Sequence, residues 1–109
     1  MVKRGDVFWV NFGLSKGGEI KKKRPAVIIS NDIANTYSNR VQVIPLTTQK
    51  LDKIYPCEAL IASLDKKCKA MADQIMTVAK ERLGEKLGSV TEKEMAEIEK
   101  AIKIQLGFI

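Results

Sequence analysis

The clearest helical period in this chain lies at its end. Thr91 and Glu94 stand three residues apart, the spacing of a capping box in which each side chain bonds the other residue's backbone N–H. Met95, Ile98, Ile102 and Leu106 then recur at helical intervals to form one apolar stripe, and Gly107 supplies the stop. Everything before Thr91 breaks into short runs rich in β-branched and aromatic residues, separated by turn residues. Residues 5–12 read as a first strand and residues 13–23 as a loop, with Gly17 and Gly18 in its middle. Pro25 is expected at the start of a second strand running to Ser30, where its missing N–H costs least. Asn31-Asp32 marks a turn or helix cap and opens a short polar connection to Arg40. Residues 41–46 form a third strand, with Pro45 implying an edge or a bulge near its end. Residues 55–61 and 69–78 read as two more strands, although the Ala and Met of the second also suit a helix. Residues 83–90 hold a short final strand. Five or six strands and one terminal helix predict a mainly β protein, a small antiparallel barrel or curled sheet with a helix attached.

At 109 residues the chain is one domain, 1–109, with a single modest core, a size that suggests an oligomer. Apolar content of 45% and charged content of 29% exclude wholesale disorder. No apolar run approaches the roughly 18–20 residues needed to span a bilayer, and residues 1–5 are no signal peptide, so a cytoplasmic location without membrane contact is expected. Cys57 and Cys68 are eleven residues apart in a chain without histidine; they form no metal site and read as reduced, half-buried strand residues. No metal and no cofactor is expected.

The charge is unevenly placed. Residues 1–53 carry ten Lys/Arg and four Asp/Glu, a balance of +6, whereas residues 54–109 carry nine of each, a balance of zero. Such asymmetry suits a polyanionic partner, because each neutralised phosphate releases condensed counterions. The same half contains Lys21-Lys22-Lys23-Arg24, which runs straight into the second strand, and a third strand that ends in Thr47-Thr48-Gln49. A cationic loop and a hydroxyl-bearing strand end, brought together on one sheet, make a site for a phosphodiester.

These residues carry a resemblance to the MazF/PemK family of bacterial toxins from toxin–antitoxin pairs. It is borne by Arg4-Gly5-Asp6-Val7 with Trp9-Val10, by Gly18-Glu19 through Lys23-Arg24-Pro25-Ala26-Val27-Ile28-Ile29, by Val43-Ile44-Pro45-Leu46-Thr47-Thr48-Gln49, and by Asp73-Gln74-Ile75-Met76-Thr77 with Arg82-Leu83. The resemblance implies an SH3-like barrel, a homodimer, and a metal-independent endoribonuclease that cuts single-stranded RNA, chiefly mRNA, and so arrests translation. It also implies a cognate MazE-type antitoxin that blocks the RNA groove. Arg24 matches the family's catalytic Arg and Thr47 its catalytic Thr, while Glu19 and Gln74 match its substrate-groove Glu and Gln. Lys22, Lys23, Thr48 and Gln49 complete the expected RNA contacts. The loop before Arg24 and Met76 depart from the pattern of some relatives, at positions that bear on sequence preference rather than on the catalytic pair. Two alternatives accompany this reading: a CcdB-like gyrase poison of similar architecture, and an RNA-binding module without activity.

The absence of histidine does not forbid the chemistry. When RNA is cut through its own 2′-OH, the nucleophile belongs to the substrate, and what remains is stabilisation of charge on phosphorus and two proton transfers. The planar guanidinium of Arg24 suits the first task. Its reference pKa above about 12 makes it a poor base. The residues alone therefore leave open whether it moves protons or acts only as an electrostatic clamp, the role favoured here. Trp9 and Phe12 are candidates for stacking on unpaired bases, with burial in the barrel the expected fate of Trp9.

Overall fold

The computed structural model describes residues 1–13 and 23–108. The loop expected at 13–23 falls, apart from its two ends, outside the described residues, and Glu19 and Lys22 with it. Among the described residues seven strands run β1 (Asp6–Asn11), β2 (Lys23–Ile28), β3 (Arg40–Thr47), β4 (Glu58–Ile61), β5 (Cys68–Met71), β6 (Met76–Ala79) and β7 (Leu83–Ser89). Helix α1 (Asp32–Tyr37) joins β2 to β3, and α2 (Glu92–Leu106) closes the chain. Every pairing is antiparallel, in the order β4-β5-β3-β2-β1-β7, with β6 added to β3 beside β5.

β3 organises this sheet. On one side its Val43, Ile44 and Pro45 pair with Ile28, Val27 and Ala26 of β2. On the other side its first half, Arg40 to Val43, pairs with β6, and its last residues, Leu46 and Thr47, pair with β5. One strand thereby serves two curled layers, and successive side chains enter different cores. Val10, Ala26, Ile28, Val41, Val43 and Val78 make one core, enclosed by β1, β2, β3 and β6. Val7, Val27, Ile44, Leu46, Ala59, Ile61 and Ala70 make the other, covered by Met95, Ile98 and Ala101 of α2. Burial on both faces is why these strands read as nearly unbroken apolar runs, and each fully buried aliphatic side chain is worth about 1.5–3 kcal/mol. The result is the expected mainly β, barrel-like curl with a C-terminal helix; β6 and β7, at the two ends of the curl, share no ladder.

Several boundaries differ from the sequence expectation for identifiable reasons. Pro45 lies in an internal strand, at the step where β3 exchanges β6 for β5 as its neighbour, so the missing N–H falls where the ladder is already interrupted. Residues 69–78 are two strands, because the chain must cross from one partner zone of β3 to the other; it does so in a 3₁₀ turn, Ala72–Gln74. Tyr55 and Pro56 form a turn closed by the Glu58 N–H donating to the Tyr55 carbonyl (2.8 Å), so β4 starts only at Glu58, and Cys57 lies before it. The polar connection after Asn31 contains the short helix α1. Asn31 caps it by accepting from the Ala34 N–H (2.8 Å), and buried Asn35 ties it to the end of β2 through the Ser30 carbonyl and hydroxyl.

In α2 the capping box is present as read, and Gly107 closes the helix in a left-handed conformation (φ 75°) that a side chain would strain. The apolar stripe is shorter than expected. Met95, Ile98 and Ala101 are buried and Ile102 is half-buried, but Leu106 is exposed. A helix of 15 residues spans about 22 Å and the four-residue β4 beneath it about 13 Å, so the last turns outrun their support. Among the described residues no helix is long and apolar enough to cross a membrane.

Candidate active site

The two strands that carry the sequence signals end side by side. The β2–β3 ladder ends at Ala26 opposite Pro45, and Arg24 and Thr47 each lie two residues beyond it. Strand alternation places both side chains on one face of the sheet. Each is braced from its far side, Arg24 by Val10 of β1 and Thr47 by Lys69 of β5. The Thr47 hydroxyl accepts from the Gln49 N–H (3.1 Å), a turn that stops the strand and orients the oxygen.

A cavity of about 470 Å³ opens at this end of the sheet. Trp9, Lys23, Arg24, Pro25, Thr47, Thr48 and Gln49 line it from the strands, and Leu64, Asp65 and Lys66 form the facing wall, from the β4–β5 connection. Leu46, Cys68 and Leu87 add apolar surface to the lining. Gly88 (φ 152°) lets the chain pass this wall, since a Cβ there would come within 3.0 Å of Leu64. Lys23, Arg24 and Lys66 outnumber the single carboxylate, Asp65, so the lining favours an anion. Arg24 is half-buried, and among the described residues no carboxylate lies within ion-pair distance of it. Burial pushes the Cys68 thiol up to about 11, with the Glu94 carboxylate adding to the effect, so this lining residue stays a neutral thiol at pH 7.

Five of the residues singled out from sequence thus come together: Lys23, Arg24, Thr47, Thr48 and Gln49. Gln74 does not join them; it is exposed in the 3₁₀ turn, where its amide donates to the Met71 sulfur (3.6 Å). Trp9 is not buried as expected. It is 39% exposed at the cavity rim opposite Pro25, because β1 outruns the α2-side core at this end. Phe12 stays half-buried against the other core. Sequence reasoning missed the wall at Leu64–Lys66, whose only signal was an Asp-Lys-Lys run in a strand connection.

That wall is fastened to α2. Glu94 accepts from the N–H groups of Ala62 (2.9 Å) and Ser63 (3.1 Å), from the Ser63 hydroxyl (2.5 Å) and from the Thr91 N–H (3.0 Å). Burial raises its pKa, but these donors more than offset that and hold the carboxyl below its ordinary 4.5. A depressed carboxylate contributes stability that is present above the ordinary value and lost as pH falls through the folded one. Glu94→Gln is therefore expected to lower stability by about 1–2 kcal/mol at pH 7. The gap to the parent should close below pH 4.5, as read from urea midpoints across that range.

A small, barrel-like curled β sheet that brings an arginine and a threonine to one cationic cavity defines a class of small β protein whose site suits an anion and contains no histidine. Residues 3–106 match the family model of PemK-like, MazF-like toxins of type II toxin–antitoxin systems, and the chain belongs to that family. It is 36% identical over 115 residues to Endoribonuclease MazF9 of Mycobacterium tuberculosis, covering 97% of each chain. It is 37% identical over 111 residues to Endoribonuclease MazF of Staphylococcus epidermidis, covering 98% of this chain and 92% of that one. Among solved structures, a mycobacterial endoribonuclease in complex with its cognate antitoxin superposes with a TM-score of 0.86 at 28% identity, covering 100% of this chain and 98% of the other. MazF of Deinococcus radiodurans superposes with a TM-score of 0.81 at 27% identity, covering 97% of this chain and 96% of that one.

Proposed function

We propose that this chain is the toxin of a toxin–antitoxin pair, an endoribonuclease that cuts single-stranded RNA, chiefly mRNA, by attack of the substrate's own 2′-oxygen. The observation that carries the reading is that Arg24 and Thr47, at neighbouring ends of β2 and β3, line one open cationic cavity, in a chain whose curated relatives are endoribonucleases. The 2′-oxygen attacks phosphorus, charge accumulates on the non-bridging oxygens, and the 5′-oxygen leaves. Arg24 meets that charge with a planar fork of donors. Thr47, whose oxygen is already occupied by the Gln49 N–H, turns its own O–H toward the same phosphate. Lys23, Thr48 and Gln49, with Lys22, position the RNA, since phosphate contacts set register without reading sequence; Glu19 and Gln74 are assigned RNA contacts by the family resemblance alone, Gln74 outside this cavity. Exposed Trp9 offers a ring for an unpaired base.

Incubation with labelled single-stranded RNAs of several sequences in EDTA should give cuts at discrete positions, and RNA left intact throughout would overturn the assignment. Thr47→Val keeps the β-branched shape and removes the hydroxyl. It should slow cleavage by about 10- to 100-fold, the worth of one hydrogen bond to a charged group. Action in the cytoplasm, as a homodimer neutralised by an antitoxin, belongs to the same reading. The antitoxin complexes of a mycobacterial relative and of Deinococcus MazF support the partner. An acidic, extended segment lying across the Lys23–Arg24 side of the cavity fits its charge. The relatives' names weigh against the gyrase-poison alternative.

A further inference from the structure

Lys69 is 3% exposed, the one buried lysine among the described residues. Its ammonium is saturated: it donates to the carbonyls of Lys50 (2.9 Å) and Lys53 (3.1 Å) and pairs with the Glu58 carboxylate (2.9 Å). The Tyr55 ring covers it, with its centroid 5.9 Å away. For stability alone, an apolar side chain would serve as well in such a place, because desolvating an ion pair consumes most of what the pair returns. What an apolar side chain cannot do is hold two backbone carbonyls. Those carbonyls belong to the segment that follows Thr47-Thr48-Gln49. Lys50 there adopts a left-handed conformation (φ 53°), unusual for a residue with a side chain and sustained only when its surroundings fix it. The backbone of Lys69 is itself the ladder partner of Thr47. One residue therefore grips the strand end with its main chain and the departing loop with its side chain.

We propose that Lys69 is a positioning residue of the active site: by tying the Lys50 and Lys53 carbonyls to β5, its ammonium holds the Thr47–Thr48–Gln49 strand end in a single conformation facing Arg24. This inference rests on the assignment of Thr47 to the site. Glu58 then keeps the buried cation neutralised and is not itself required for alignment; the Tyr55 N–H and the Lys69 ammonium more than offset the effect of burial and keep its carboxyl ionised below the usual range.

Three variants, Lys69→Met, Glu58→Gln and the double variant, test this in RNA cleavage assays beside Arg24→Ala. Displacement of a reacting group by about 1 Å costs on the order of 100-fold, so Lys69→Met should lower kcat by about 10- to 100-fold with KM changed less than about threefold. Glu58→Gln, which leaves the tether in place, should retain kcat within about threefold. The double variant removes the unpaired carboxylate and should regain much of the urea midpoint lost in Lys69→Met, yet stay as slow. A double variant with the parent's kcat would overturn the proposal by reducing Lys69 to a counter-ion. A change confined to KM would overturn it by making Lys69 an RNA-binding residue. If Lys69→Met cuts at the parent rate while Arg24→Ala is inactive, positioning alone fails. If Arg24→Ala and Thr47→Val both cut normally, the site assignment fails first and takes this inference with it.

Discussion

Arg24→Ala should slow RNA cleavage by about 10²–10³-fold at saturating substrate, the loss of about 2.7–4 kcal/mol found when one preorganised donor to a developing oxyanion is removed. A ground-state phosphodiester carries one negative charge, and the pentacoordinate species formed by 2′-oxygen attack carries more, so the guanidinium binds the second more tightly than the first. Only that difference accelerates the step. The effect should therefore appear in kcat, with RNA affinity supported by Lys23 and Lys66 on the same cavity. Arg24→Lys restores the charge without the fork and should recover part of the rate. Neither variant should alter folding by more than about 0.5 kcal/mol, because Arg24 is half-buried at a strand end and braced through its backbone. Single-turnover cleavage with thermal unfolding of the same samples checks both halves. An Arg24→Ala protein that cuts at the parent rate would place the charge stabilisation on another residue.

Ile98→Ala carries the largest expected effect on stability, about 2–5 kcal/mol, because the side chain is 0% exposed and sits in the core between α2 and the sheet. Against a total of about 5–15 kcal/mol for a domain of this size, that loss should lower Tm by about 10–20 °C. The consequence reaches the site. α2 carries Glu94, and Glu94 holds the Ala62–Ser63 turn that leads into the cavity wall at Leu64–Lys66. Cleavage by Ile98→Ala should match the parent well below its Tm and collapse as α2 loosens. A Tm within about 3 °C of the parent would mean that α2 is not the buttress of the second core.

Local chemistry made much of this molecule legible in advance. The capping box at Thr91 and Glu94, the glycine stop at Gly107 and the apolar runs around Val27 and Val43 each act within a few residues, so they read directly. The pair Arg24 and Thr47 is different: a family resemblance singles it out, and the fold brings both residues to one cavity. Trp9 was misplaced for a different reason. Trp9 shares a face with fully buried Val7, and nothing local reveals that the core on that face ends between the two, while Val10 is buried in the other core. Residues 69–78 were read as one strand because alternation cannot tell which partner a strand will find, and β3 offers two. Lys69 was invisible as a buried ion, since a lysine in an amphipathic run reads as solvated until the acceptors around it are known.

By itself the chain of residues determined the apolar strand segments of the first half, where the last helix begins and stops, and that the excess positive charge resides in the first half. Those are short-range matters of propensity, capping and composition. Only the tertiary structure decided that Arg24 and Thr47 line one cavity, that residues 64–66 line its far side, and that Lys69 clasps the loop that follows Thr47. Each of these joins segments far apart in the chain, and pairing across such distances is chosen by the collective burial of two cores rather than by any neighbouring residue.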